Sequence, residues 1–248
     1  MTDSRETPKK KDRAVLDEQI AYYKARASEY DEWFYREGRY DRGEEHRLAW
    51  FAEIEEVKRA LHRAEPQGEI LDLACGTGIW TAELEPFASR LIAVDASPET
   101  LALNRERLRS SRALYIAADL FSWTPPGRFD FVFFAFWLSH VPEERFGAFW
   151  DLVRGALRSG GRAFFVDSLF IQESTARDHA PLSRDGIVTR KLNDGRTYRI
   201  VKVFHEPDAL ERRLQALGWR GYVRRTEKFF LYGSLSPEPE KRTHKGKP

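Results

Sequence analysis

The sequence predicts a doubly wound α/β fold on a parallel sheet, and three observations point there. Apolar runs of strand length recur at Ile70–Leu73, Leu91–Val94, Ala113–Ala118, Phe129–Ala135 and Arg162–Val166, with helical spacing between them. The first run passes through Asp72 into Ala74-Cys75-Gly76-Thr77-Gly78, small residues that let a ligand approach the backbone beyond a strand's carboxyl end. At 248 residues the chain can bury a substantial core in one unit.

The elements follow in order. Met1 to Lys11 and Ser236 to Pro248 are polar and mixed in charge, and are expected to be disordered ends. Asp12 to about Tyr35 has helical spacing and an aromatic stripe of Tyr22, Tyr23, Tyr30, Trp33 and Phe34, with a second helix expected from Glu44 to Ala64. The turn Pro66-Gln67-Gly68 leads into the first strand, and a helix opens near Ile79. Asp95 tips the second strand; Ser97 then reads as a helix N-cap with Pro98 at the first helical position. Gly160-Gly161 reads as a helix stop before the fifth strand, which ends at Asp167-Ser168. Ile187 to Phe204 gives two β-like runs about the turn Asn193-Asp194-Gly195. A helix from Pro207 to Leu217 and a closing β segment from Tyr222 to Tyr232 complete the chain.

The glycine loop limits the chemistry. A nicotinamide fingerprint wants a third glycine where Thr81 stands, and leaves apolar the place that Asp72 occupies. The stretch from Glu69 to Gly78 instead resembles motif I of class I S-adenosylmethionine-dependent methyltransferases, with Ala74 where many members carry the first glycine. Asp95 and Asp119-Leu120 follow in the register of that family's ribose and adenine sites. The resemblance covers about Tyr22 to Ser234. It implies a seven-stranded Rossmann-like sheet whose last strand is antiparallel, an N-terminal helical cap and a β-hairpin lid. The corresponding division is one domain over 12–235: cap 12–66, cofactor-binding core 67–168, lid and substrate region 169–206, closing helix and strands 207–235.

The same resemblance implies S-adenosylmethionine as cofactor, S-adenosylhomocysteine as product, and in-line methyl transfer to an O-, N- or C-nucleophile of a small molecule. Its cofactor site would comprise Asp72, Ala74, Cys75, Gly76, Thr77, Gly78, Trp80, Asp95, Ala96, Asp119, Leu120 and Phe136. Tyr22, Tyr23 and Arg26 would cover the methionine end, since the aromatic first helix is similar to the cap of small-molecule methyltransferases, the quinone-biosynthesis type included. Phe136-Trp137-Leu138-Ser139-His140-Val141-Pro142 occupies the place of the transferred methyl, and it lacks both the Asn/Asp-Pro-Pro-aromatic turn of base methylases and the carboxylates of metal-dependent catechol enzymes. No metal is expected. His140 is the candidate general base, because an imidazole titrates near neutrality. Trp137, Asp167, Arg190, Arg199 and Lys202 are candidate substrate contacts, the basic ones suited to a carboxylate or phenolate.

Composition agrees with an enzyme of small molecules. Lys+Arg 41 against Asp+Glu 39 leaves a net charge of only +2, which singles out no nucleic-acid face. No run of about 18 apolar residues suggests a membrane span, so the cytoplasm is the expected compartment. Cys75, the single cysteine, excludes an internal disulfide and a Cys-x-x-Cys zinc site. Two rivals keep part of the pattern. A non-catalytic S-adenosylmethionine-binding protein would retain motif I, and an NAD-dependent oxidoreductase would share the fold but leave Asp72 and Asp119 without roles. The acceptor and the oligomeric state have no signature in the sequence.

Overall fold

The computed structural model describes residues 8–239, with side chains from residue 13 onward. Most of the two expected disordered ends lies outside the described residues, but helix already begins at Pro8 and the last strand reaches Pro237. Seven strands make one sheet: β1 Gly68–Leu73, β2 Ala88–Asp95, β3 Ala113–Ala117, β4 Phe129–Ala135, β5 Leu157–Ser168, β8 Trp219–Arg225 and β9 Phe230–Pro237. They stand in the order β3-β2-β1-β4-β5-β9-β8, with β9 antiparallel to both of its neighbours, β5 and β8. A separate antiparallel pair, β6 Ile187–Lys191 and β7 Thr197–Val201, forms the expected hairpin.

Alternation along the strands sorts the core into two layers. Leu71, Leu73, Val132 and Phe134 pack against α6 (Phe146–Ala156) and α7 (Pro207–Ala216) through Phe149, Trp150, Val153, Leu210 and Leu214. Ile70, Phe131, Phe133 and Phe164 face the other side, covered by α3 (Glu44–Arg63) and α4 (Ile79–Leu84) with Trp50, Ile54, Val57, Trp80 and Leu84. Across β4 and β5 the paired rings Phe133–Phe164 and Phe134–Phe165 lie nearly parallel, one pair on each face of the sheet. Helix α5 (Pro98–Leu108) is capped as its sequence asks: the Ser97 hydroxyl accepts from the Thr100 amide, with Pro98 at the first helical position.

Three boundaries differ from expectation. The first helix is two, α1 (Pro8–Ala25) and α2 (Tyr30–Tyr35), joined by a short 3₁₀ turn. A straight helix would hold Tyr23 and Trp33 about 15 Å apart; the bend lets Tyr23 reach His140 and Trp33 reach Phe136 over one cleft. The closing segment is also two strands, because the Glu53 carboxylate of α3 binds the turn between them, accepting from the Lys228 and Phe229 amides and the Thr226 hydroxyl. Finally, α6 ends at Ala156, and Gly160-Gly161 lie inside β5, where the ladder jumps from Phe129–Leu157 to Phe131–Arg162.

Gly221 marks how closely β8 approaches β9. Its φ is +144°, and a Cβ there would lie 2.0 Å from the Ser234 carbonyl oxygen. Gly221→Ala should therefore lower the unfolding free energy by about 2–3 kcal/mol, as strained overpacked sites do. Urea denaturation checks this; an unchanged midpoint would mean that the edge strand shifts freely.

Candidate functional site

The sheet's strand order reverses between β1 and β4, and the crevice opens beyond the carboxyl ends of those strands. Two residues there hold left-handed backbone despite side chains: Ala74 after β1, with φ 52°, and Phe136 after β4, with φ 54°. Such strain costs on the order of 1 kcal/mol each and persists where the surroundings dictate the shape. Ala74 thus keeps the conformation that glycine supplies more cheaply. Gly78, with φ 88°, is required for contact as well, since a Cβ would meet the Asn104 side chain of α5 at 2.5 Å.

A half-buried carboxylate organises the loop. Asp95 Oδ2 accepts from the Gly76 amide at 2.9 Å, while Oδ1 accepts from the Ser97 amide at 2.9 Å and the Thr100 hydroxyl at 3.2 Å. Burial raises its pKa, and those donors oppose the rise. Asp72 lies deeper, with only the Thr81 hydroxyl among the described residues donating to it, at 2.7 Å, so burial, aided by the Asp95 charge, pushes it up to about 7.

Two cavities meet at this crevice. The first, about 740 Å³, is lined by Ala74, Gly76, Asp95, Ala96, Asp119, Leu120, Phe136 and Trp137 among others. A small recess beside it holds Asp72, Cys75, Thr77 and Trp80. The second, about 600 Å³, lies under the hairpin and is lined by Tyr22, Arg26, Tyr40, His179, Arg190 and Lys202 among others. Tyr23, Tyr30, Phe136 and His140 line both cavities, so they form the partition.

The second cavity is unusually cationic for a buried space. Arg190 is only 7% exposed, and among the described residues its guanidinium has neither a hydrogen-bond acceptor nor a carboxylate. Among the described residues Arg26 donates only to the Tyr40 hydroxyl, at 3.3 Å, and packs over the Tyr30 ring. Lys202 donates to the Ser139 hydroxyl at 2.7 Å and lies 3.6 Å from Asp167; burial lowers its pKa to about 8, which leaves the ammonium mostly charged at neutrality. Asp167 itself is fully buried, accepting from the Ser139 and Ser168 amides, and it reaches the cavity only through Lys202.

Some expected placements change. Tyr22 and Arg26 line the second cavity rather than the first, because they stand one helical turn apart and Tyr22 packs on Val188, Leu192 and Ile200 of the hairpin. Arg199 lies outside both: it faces away from Arg190 on the hairpin and pairs with Glu18 of α1. Sequence reasoning passed over Tyr40, Gln19 and Thr100, and placed Tyr30 in the aromatic stripe without giving it a site role. Gln19 stands one helical turn before Tyr23 and bridges the His140 carbonyl to the Val201 amide, so the i, i+4 spacing held a signal.

Comparison with known proteins follows the same lines. Residues 70–161 match a family model described as a methyltransferase domain. The chain is 29% identical over 136 residues to the cypemycin N-terminal methyltransferase of a Streptomyces species, covering 52% of this chain and 55% of that protein. It is 31% identical over 84 residues to nodulation protein S of Sinorhizobium fredii, covering 32% and 39%. The chain thus spans about half or less of the curated relatives it matches. Among solved structures, DhpI in complex with SAH superposes with a TM-score of 0.74 at 38% identity, covering 91% of this chain and 98% of that one. The 1,6-didemethyltoxoflavin-N1-methyltransferase of Burkholderia thailandensis, at 18% identity and a TM-score of 0.61, covers 96% and 94% and shares the fold. With a relative 38% identical along nearly its whole length, and the methyltransferase model lying over the crevice-forming strands, the chain belongs to the class I S-adenosylmethionine-dependent methyltransferases.

Proposed function

We propose that the protein moves the sulfonium methyl of S-adenosylmethionine onto a small acceptor bearing negative charge, with the cofactor in the first cavity and the acceptor in the second. The residues of the first cavity fit that cofactor. A Cβ added at Gly76 would meet only the Tyr30 ring, at 3.9 Å, so the loop offers bare backbone to the ligand. In the reading taken here Asp95 holds the ribose hydroxyls, Asp119 the adenine amino group and the Leu120 amide a ring nitrogen. Phe136 and Trp137 exclude water, and Asp72 favours the cationic methionine end. DhpI, solved with SAH and separately with SAM and HEP, supports this choice of cofactor. When bound, the cofactor supplies an electrophilic methyl on a cationic sulfur and a neutral leaving group.

The acceptor reading is carried by one observation: the buried guanidinium of Arg190 faces the second cavity without a counter-charge among the described residues. Burying an unpaired cation is costly unless a ligand completes the site. Arg26 and Lys202 add to the same field, and Asp167 offsets only part of it. A carboxylate or phosphate-type group would be gripped by the planar fork of Arg190 and the ammonium of Lys202. A cationic amine would be repelled, and a neutral quinol of the quinone-biosynthesis kind would leave the charges unpaired. The partition of Tyr23, Tyr30, Phe136 and His140 then holds the nucleophile against the methyl, and much of the catalysis is alignment.

Four outcomes test this reading. Asp95→Ala should weaken S-adenosylmethionine binding by about 2–4 kcal/mol in calorimetry, since it loses charge-assisted hydrogen bonds; unchanged affinity sinks the cofactor assignment. Asp72 must ionise to favour a cation, so affinity should rise as pH increases from about 6 toward 8 and stay flat over that range in Asp72→Asn. With radiolabelled methyl donor, acidic acceptors should be labelled in preference to amines and neutral quinols. Arg190→Gln should raise the Michaelis constant by about tenfold or more at low salt; a panel labelled only on amines would refute the anionic acceptor.

A further inference from the structure

His140 has both ring nitrogens engaged. Nδ1 lies 2.7 Å from the Val201 carbonyl oxygen, an acceptor only, so the neutral ring carries its hydrogen on Nδ1. Nε2 is then a bare lone pair, and the Tyr23 hydroxyl, 2.7 Å away, must donate to it. The Tyr23 oxygen is left with its own lone pairs, which meet no donor among the described residues, at the partition of the two cavities. The arrangement is held from three sides. Gln19 ties the His140 carbonyl to the hairpin, the Val203 amide donates to the Ser139 carbonyl, and the Tyr23 ring sits edge-on to the imidazole.

We propose that the acceptor presents a hydroxyl to Tyr23, that Tyr23 relays its proton to His140 Nε2, and that the acceptor's own negative charge is what enables His140 to take it. The inference rests on the anionic-acceptor reading above. As the acceptor oxygen bonds to the methyl and the methyl–sulfur bond breaks, the hydroxyl proton passes to the Tyr23 oxygen and the Tyr23 proton to Nε2. The products are the methyl ether, neutral S-adenosylhomocysteine and an imidazolium at His140, which returns its proton through Tyr23 to water when the site empties. No charge is created or lost.

The dependence on the acceptor follows from what surrounds the ring. From the hairpin come the charges of Lys202 and Arg190, and from α1 that of Arg26; burial first and these cations next hold the imidazole well below its usual range. The hydrogen bond from Nδ1 to the Val201 carbonyl opposes them, and Asp167 of β5 offsets part of the Lys202 charge. Of the neighbours that titrate, Tyr23 is kept neutral by burial, and His179, lowered to about 4 by burial and Arg190, adds no charge at neutrality. The empty site therefore resists an imidazolium. An anion on Arg190 and Lys202 cancels the repulsion, so the base becomes competent only in the loaded enzyme.

The test uses inorganic phosphate as the anion, the full chain with S-adenosylhomocysteine bound, and nitrogen-15 histidine spectra assigned through His140→Gln. Without phosphate, His140 should show its hydrogen on Nδ1 and titrate well below 6.5. Saturating phosphate should raise that midpoint by about one to two pH units, the size expected for removing a nearby unit charge at an effective dielectric of about 20. Tyr23→Phe should shift the Nε2 resonance by removing its donor while leaving the Nδ1 hydrogen in place, and Arg190→Gln should abolish the phosphate response. Phosphate that binds by calorimetry without moving His140, or a hydrogen found on Nε2, overturns the relay and leaves the anion pocket standing. Failure of phosphate to bind overturns the pocket, and the relay with it.

Discussion

The crevice depends on the carboxylate of Asp95. It is the shared acceptor of the glycine loop after β1, through the Gly76 amide, and of the first turn of α5, through Ser97 and Thr100. Three donors on one half-buried anion fix the distance between two strand ends, since a carboxylate left short of partners in that environment would be destabilised. The rest of the loop follows from this anchor. Ala74 is forced into left-handed backbone, Gly78 lets α5 approach, and Asn104 of α5 returns the contact by donating to the Gly76 carbonyl and the Thr81 hydroxyl. That hydroxyl in turn meets Asp72, so one polar chain runs from the cavity surface to the strand interior.

Over this anchored base lies a cover of two sequence-distant pieces. The helix α1 and the hairpin β6–β7 are joined by Glu18 to Arg199 and by Gln19 to Val201. Farther along, Arg39 and Glu29 bind the hairpin turn at Lys191 and Asn193. These ties make a single unit of the cap and the lid. Its attachment to the cofactor loop is slighter: Asp31 accepts from the Thr77 hydroxyl and pairs with Arg107, while Lys24 pairs with Glu99 at the surface. Exposed ion pairs of this kind contribute roughly 0–1 kcal/mol. The cover is therefore firmly knit within itself and lightly fastened to the cofactor loop, while buried ties from Gln19, Tyr23, Val201, Lys202 and Val203 hold it to the Ser139-His140 turn and Asp167.

What the sequence disclosed divides along the same seam. Asp95, Ser97-Pro98 and Asp119 were legible because they sit at fixed offsets from strands whose apolar runs are unmistakable. Arg190 and Lys202 were legible as residue types, but not their separation from Arg199, because the inward face of a hairpin is set by what packs on it. Here that is α1, whose Glu18 draws Arg199 outward. The division of the first helix was hidden for a related reason: residues 12–35 have helical spacing throughout, and only the need to bring Tyr23 and Trp33 over one cleft bends them. The displacement of Tyr22 and Arg26 from the cofactor cavity to the second one follows from the packing of Tyr22 on the hairpin. The pairing of Tyr23 with His140 joins residues 117 positions apart, and no local pattern encodes it.

The buried positive charge then acquires a place in the working cycle. In the reading proposed above, the cover gathers Arg26, Arg190 and Lys202 around the second cavity, and among the described residues Asp167 alone offsets them, so their desolvation would stay poorly compensated until an anion arrives. An anionic acceptor would remove that penalty, and the same electrostatic mismatch would both select the acceptor's charge and ready His140 as a base. The sulfonium methyl would then meet its nucleophile at the partition of the two cavities.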